Sequence, residues 1–160
     1  MLNVNIICVG KLKEDYLRAA CAEYQKRLGS FCRLNIIELT PARLPENPND
    51  SQIAAALADE GDRILAKISN SDAVFAMCIE GKMFSSEALS AEIDKLAVGG
   101  FGSVSFIIGG SHGLDPGVKS RAKIRLSMSP MTFPHQLARV MLLEQIYRSF
   151  MISSGGKYHK

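Results

Sequence analysis

An α/β fold built on a mainly parallel sheet is what this sequence predicts, and three observations predict it. Short β-branched runs at Leu2–Val9, Phe31–Leu39 and Ala73–Ile79 are separated by stretches with helical spacing of apolar residues. The run Val104 to Ile108 is almost continuously apolar, as a strand buried on both faces must be. Strands that alternate with helices pair in parallel through crossovers, so the sheet is expected to lie between two helical layers.

The elements follow in order. The first strand ends at Gly10. A helix from about Glu14 to Leu28 carries Tyr16, Ala20, Tyr24 and Leu28 on one stripe and stops at Gly29. Pro41, Pro45 and Pro48 exclude regular structure from Thr40 to Asn49, and Asp50-Ser51 offers an N-cap for the helix bearing Ile53, Leu57, Ile64 and Ile68. Ser85 can cap a helix running through Leu89, Ile93 and Leu96. Lys123 to Leu126 is a weaker strand, followed by a loop with Pro130 and Pro134 and a last helix from Pro134 to about Ser153. That helix is apolar on almost every side, from Leu137 through Val140, Leu143 and Tyr147 to Met151. Such a helix needs partners on both sides; the sheet is one, and a second copy of the chain is the simplest other.

Composition bounds the function. A length of 160 residues fits one domain, and 47% hydrophobic with 22% charged residues is ordinary globular usage. No apolar run reaches the roughly 20 residues of a membrane helix, and the start lacks a signal peptide's basic residues, so a cytoplasmic protein is expected. Cys8, Cys21, Cys32 and Cys78 show no metal-binding spacing and read as reduced packing residues. The net charge of +3 hides an asymmetry: residues 1–116 hold 11 Lys/Arg against 15 Asp/Glu (−4), whereas residues 117–160 hold 8 against Glu144 alone (+7). The C-terminal third is therefore expected to face a polyanion, of which nucleic acid is the commonest.

Three segments could carry chemistry. Gly109-Gly110-Ser111-His112-Gly113 makes a glycine-rich turn directly after a buried strand, where α/β sheets bind ligands and where glycine lets a ligand approach the backbone. It matches the hydrolase pattern G-x-S-x-G, but Asp115-Pro116-Gly117 interrupts the helix that should follow Ser111, and too little chain remains for that fold. Met128-Ser129-Pro130-Met131-Thr132-Phe133-Pro134 is an apolar loop stiffened by two prolines, able to offer backbone groups to a ligand at small entropic cost. His135 and Arg139, four apart, share a helical face. The last segment, Gly155-Gly156-Lys157-Tyr158-His159-Lys160, reads by composition as a frayed tail and also suits phosphate contact and base stacking.

These segments together resemble the SPOUT-class family of small bacterial methyltransferases that act on N3 of a pseudouridine in 23S ribosomal RNA. The resemblance covers essentially the whole chain and rests on Val9-Gly10-Lys11-Leu12-Lys13, Glu80-Gly81-Lys82, Phe106-Ile107-Ile108-Gly109-Gly110, Met131-Thr132-Phe133-Pro134-His135-Gln136 with Arg139, Glu144-Gln145-Ile146-Tyr147-Arg148, and Tyr158-His159-Lys160. Ser111-His112 within the glycine turn departs from the family pattern. The resemblance implies a single domain over residues 1–160 with a C-terminal trefoil knot over about 73–160. It also implies S-adenosylmethionine held by Met77, Gly109, Met128, Ser129, Pro130, Met131, Thr132 and Phe133, and no metal. A homodimer acting on the large ribosomal subunit or the assembled ribosome would use His135, Arg139, Tyr158 and His159 as its catalytic set, with His135 and His159 the candidate bases. A ribosome-binding module with no cofactor is the competing reading.

Overall fold

The computed structural model describes residues 1–159. Five parallel strands, β1 (Leu2–Val9), β2 (Cys32–Leu39), β3 (Asp72–Met83), β4 (Ser103–Ile108) and β5 (Ile124–Ser127), stand in the order β2-β1-β4-β3-β5. The central strand β4 is buried along its whole length. Its neighbours alternate between two cores, with Ile6 and Cys8 facing one and Ile7 and Val9 the other. Helices α1 (Asp15–Leu28), α3 (Ser86–Val98) and α5 (His135–Ser153) cover the first core, and α5 packs on both α1 and α3. Helices α2 (Asp50–Leu65) and α4 (Pro116–Arg121) cover the second.

The expected elements are present with local differences. Helix α1 buries Leu17, Cys21 and Leu28 and leaves Tyr16 70% exposed, so the inward stripe sits one residue later than the Tyr16–Ala20 row. The cap of α2 is Asn49 rather than Asp50-Ser51: its side chain accepts from Gln52 N–H at 2.8 Å while the Gln52 side chain accepts from Asn49 N–H at 2.9 Å, a reciprocal capping box. Helix α4 was not anticipated, because Pro-Gly reads as a breaker. Here Pro116 occupies the first turn, where it needs no N–H partner, and Asp115 caps the helix through Gly117 N–H at 2.9 Å. Strand β3 runs four residues beyond Ile79, to Met83.

Polar groups inside the sheet are matched. Asp72 accepts from Ser105 Oγ and Ser69 N–H, both at 3.1 Å, and from Ser103 Oγ, tying the start of β3 to β4. Helix α5 buries Leu142, Leu143 and Ile146, while Tyr147 and Phe150 meet the ring of Phe31. The chain's own α1 and α3 thus cover much of the apolar surface that the sequence assigned to a second copy. Leu137, Met141 and Met151 remain partly or largely exposed. No helix is long and apolar enough to cross a membrane among the described residues.

Candidate active site

Chain order places three segments at the C-terminal ends of β3, β4 and β5, on one side of the sheet. Between Met77 and Lys82 the pairing of β3 with β5 slips, since both residues pair with Leu126. The intervening Cys78-Ile79-Glu80-Gly81 bulges out, a device that re-aims side chains beside a site. Gly81 is required where the bulge closes, because a Cβ there would lie 2.6 Å from the Arg125 carbonyl oxygen. The strand expected from sequence ends at Ile79, inside the bulge, and gives Cys78, Ile79 and Glu80 no part in the lining; Gly81, just beyond that strand, is the signal of a bulge.

After β4 the chain turns back on itself, Gly113 N–H donating to the Gly110 carbonyl at 3.1 Å. A Cβ on Gly109 would stand 2.4 Å from the Gly113 carbonyl oxygen. Closure of this turn demands glycine there, which differs from the expected reason, approach of a ligand. Ser111 sits exposed at the tip with no helix opening behind it, unlike a nucleophile elbow. After β5, Met131 N–H donates to Ser129 Oγ at 3.0 Å and Ser127 Oγ to the Ser129 carbonyl at 3.2 Å, so hydrogen bonds and prolines together hold the loop.

Bulge, turn and loop enclose a cleft of about 810 Å³, within the range usual for small-molecule sites. Met77, Gly109, Met128, Ser129, Met131, Thr132 and Phe133 all line it, as does His135; Pro130 does not and acts on the loop's backbone instead. Ile108, Leu114, Leu126 and Met128 give it apolar walls, and the Glu80–Lys119 ion pair stands at its edge. Apolar walls for a purine ring, with backbone donors and acceptors along Gly109–Gly110 and the loop, are a donor set that fits S-adenosylmethionine. No group of residues suited to a metal ion occurs among the described residues.

His135 opens α5 and is half-buried. Gly10, at a φ of +106° that favours glycine, passes directly beside the ring: a Cβ there would make an ordinary 3.5 Å contact with its Nε2. Burial, then the charges of Arg139 and Lys13, push its pKa below the usual histidine value and favour the neutral imidazole. Arg139 does not reach the cleft: it is buried, donating to Glu38 Oε2 at 2.8 Å and to the Gly10 carbonyl at 3.1 Å.

The tail is folded against α5 rather than frayed as its composition indicated. Tyr158 Oη donates to Glu144 Oε1 at 3.1 Å, the Arg148 guanidinium lies 4.7 Å from the centre of its ring, and His159 bridges Arg148 (3.2 Å) and Glu87 (2.7 Å). Tyr158 and His159 therefore form a second cluster that contributes nothing to the cleft lining within one chain. Lys160 lies outside the described residues. Of the cysteines, Cys8, Cys21 and Cys32 are free packing residues, but Cys78 lines the cleft. Burial pushes the Cys8 thiol up to about 12 and that of Cys32 to about 11, so neither ionises near neutrality.

A five-stranded parallel sheet between two helical layers, with a cleft at the C-terminal ends of β3, β4 and β5, is the arrangement in which α/β enzymes bind small ligands. The family model described as predicted SPOUT methyltransferase matches residues 2–159, and the chain belongs to that family. Proteins of Clostridium acetobutylicum (52% identical), Streptococcus thermophilus (50%) and Leuconostoc mesenteroides (48%), each named ribosomal RNA large subunit methyltransferase H, align over 99% of this chain and their own full length. A probable methylase family protein from Haemophilus influenzae shares the fold at a TM-score of 0.56 and 11% identity, over 99% of this chain and 71% of its own. The chain is a methyltransferase of α/β fold with a C-terminal knot, and its cofactor is S-adenosylmethionine.

Proposed function

We propose that the protein methylates N3 of a pseudouridine in 23S ribosomal RNA, working in the cytoplasm as a homodimer on the large ribosomal subunit or assembled ribosome. The observation that carries the reading is one cleft uniting Met77, Gly109 and the Met128–Phe133 loop with the imidazole of His135. The names of the full-length relatives and the +7 balance of residues 117–160 support RNA as the substrate. The single domain extends over residues 1–160, with the knotted part at about 73–160, where β3, β4, β5 and the cleft all lie.

The cofactor supplies an electrophilic methyl group on a sulfonium. This chain's task is then to align donor and base, which can be worth about 7–11 kcal/mol, and to remove the N3 proton. The half-buried, neutral imidazole of His135 is the base that takes it, and such a base adds about 10²- to 10⁴-fold. Arg139 acts through His135 as a positioning residue, fixing the α5 start to Gly10 and disfavouring the imidazolium. Met128, Ser129, Met131, Thr132 and Phe133 embrace the cofactor opposite Met77 and Gly109, with Pro130 keeping the loop rigid. Tyr158 and His159, grouped with Arg148, present an aromatic face, an imidazole and a cation to RNA, a set suited to stacking and phosphate contact. The apolar residues left exposed on α5, with Leu137 39% exposed, support the homodimer.

Mass spectrometry of ribosomal RNA from cells with and without the chain tests the reading. Loss of one methyl group from a 23S pseudouridine is expected; an unchanged RNA refutes it. Single-turnover rates on ribosomes for His135→Ala and His159→Ala separate the two imidazoles, with the large loss expected at His135.

A further inference from the structure

Beside the cofactor cleft lies a second, more enclosed pocket of about 150 Å³. The two share a wall made of Gly110, Ser111, His112 and His135. The far side comes from the proline loop and α2: Pro41, Leu44, Ile53, Ala56 and Leu57 are its apolar lining. A cavity of about 150 Å³ accommodates a benzene-sized ring. The imidazole assigned as base therefore stands between a space that fits the methyl donor and a space that fits one six-membered ring.

Among the described residues, one charged side chain lines this pocket. Glu60 is 9% exposed, and its Oε2 accepts the Ala42 N–H at 2.8 Å. Its other oxygen accepts no hydrogen bond among the described residues. A carboxylate with a spare acceptor, walled by aliphatic groups, is matched by a ring carrying an N–H. Pseudouridine differs from uridine in just this: its glycosidic bond is to carbon, which leaves N1–H free in addition to N3–H, the two separated by one carbonyl. Uridine has no hydrogen at N1 to give.

We propose that this second pocket receives the extruded target base, with Glu60 accepting the N1–H of pseudouridine while N3–H meets His135. Enzymes that act on a base withdraw it from the stack into such a pocket. The inference rests on the RNA reading above and deepens it, making Glu60 the residue that selects the isomerised base and Leu57 a wall of its slot. The proline-rich Thr40–Asn49 loop, far in sequence from the cleft, gains a role as the cover of the base pocket.

The test measures single-turnover methylation of ribosomal subunits carrying either pseudouridine or uridine at the target, together with calorimetric affinity for S-adenosylmethionine. The wild-type chain is expected to prefer pseudouridine by about tenfold or more, since a site built to bond an N–H rejects the analogue lacking it. Glu60→Gln keeps an oxygen for Ala42 N–H but turns an amide donor toward N1–H, so the preference should collapse while cofactor affinity stays within about twofold of wild type. Leu57→Phe, which fills the slot without touching the carboxylate, should abolish transfer to both RNAs and leave cofactor affinity intact. Retained discrimination in Glu60→Gln, or full activity in Leu57→Phe, overturns the proposal. So does a parallel loss of cofactor affinity in both variants, which would make the pocket part of the cofactor site. Failure of the wild-type chain to methylate either RNA would instead remove the RNA reading itself, and the base pocket with it.

Discussion

Arg139 and Glu38 join the start of α5 to the end of β2 through a 2.8 Å ion pair, and the same guanidinium bonds the carbonyl of Gly10 after β1. Three segments distant in sequence thus meet at one buried cation. Removing it in Arg139→Met leaves the Gly10 carbonyl without its donor, whereas Glu38, whose side chain is 34% exposed, can turn to water. A loss of about 1.5–3 kcal/mol is expected, the usual worth of hydrogen bonds to a charged group. Urea unfolding of Arg139→Met and Glu38→Gln measures it, and wild-type stability in Arg139→Met would remove the structural role.

His135 gives the enzyme a pH signature. Its pKa lies below the ordinary 6.5, from burial first and then from Arg139 and Lys13. The neutral form is the active one, so single-turnover rate should rise with pH through an apparent pKa below 6.5 and then level off. Stability follows the same direction. The unfolded chain binds a proton near 6.5 where the folded chain still does not, so stability is complete above 6.5 and falls as pH drops toward the folded pKa. Arg139→Met should move the rate limb upward yet short of 6.5, because burial persists. A limb that stays put when His135 is replaced by Gln would assign the titration to another group.

Much of this architecture could be read from the chain, and the exceptions have physical reasons. Strands β1, β2 and β4 are short segments rich in Ile, Val and Leu that alternate with segments of helical spacing, and a parallel sheet between helices follows from that alternation. Gly81 signals a bulge in β3, but its extent and shape are not legible, because Cys78-Ile79-Glu80-Gly81 is shaped by β5, some 40 residues later, and by the Arg125 carbonyl that excludes a Cβ at Gly81. Helix α4 was hidden because Pro116 and Gly117 are breakers in a helix interior but acceptable in a first turn. In the site, the glycine turn and proline loop were legible as local backbone chemistry, and they do share a cleft. The spacing of Arg139 to His135 gives a shared helical face, and the resemblance implies a catalytic role for it, but neither fixes where the guanidinium points. The carboxylate of Glu38 and the carbonyl of Gly10, which hold the guanidinium inside, belong to other elements.

Cys78 reports on cofactor binding. It is half-buried in the cleft, and burial followed by Glu80 raises its pKa, whereas the other three cysteines are buried in the cores. Maleimide labelling of the native protein should be slow, confined to Cys78, and slowed further by saturating S-adenosylmethionine. Peptide mapping after timed labelling checks this. Equal rates with and without cofactor would place the cofactor away from the β3 bulge.

Gly109 is the tightest point of the site. A methyl group there would fall 2.4 Å from the Gly113 carbonyl oxygen and 3.0 Å from Leu114 Cδ2. Since the first of these is backbone, no rotamer change relieves the clash, and the turn must open. In Gly109→Ala the cost to stability is expected at about 1–3 kcal/mol, typical of forcing an extra carbon into packed structure. Because the turn forms the cleft wall opposite the Met128–Phe133 loop, affinity for S-adenosylmethionine should fall by about tenfold or more, near 1.4 kcal/mol. Gly102→Ala, at the other end of β4, provides the control: its Cβ would make an ordinary 3.5 Å contact with Ser71 Oγ. Calorimetry on the two variants decides the matter, and Gly109→Ala binding the cofactor as tightly as Gly102→Ala would show that the glycine turn is no part of the cofactor site.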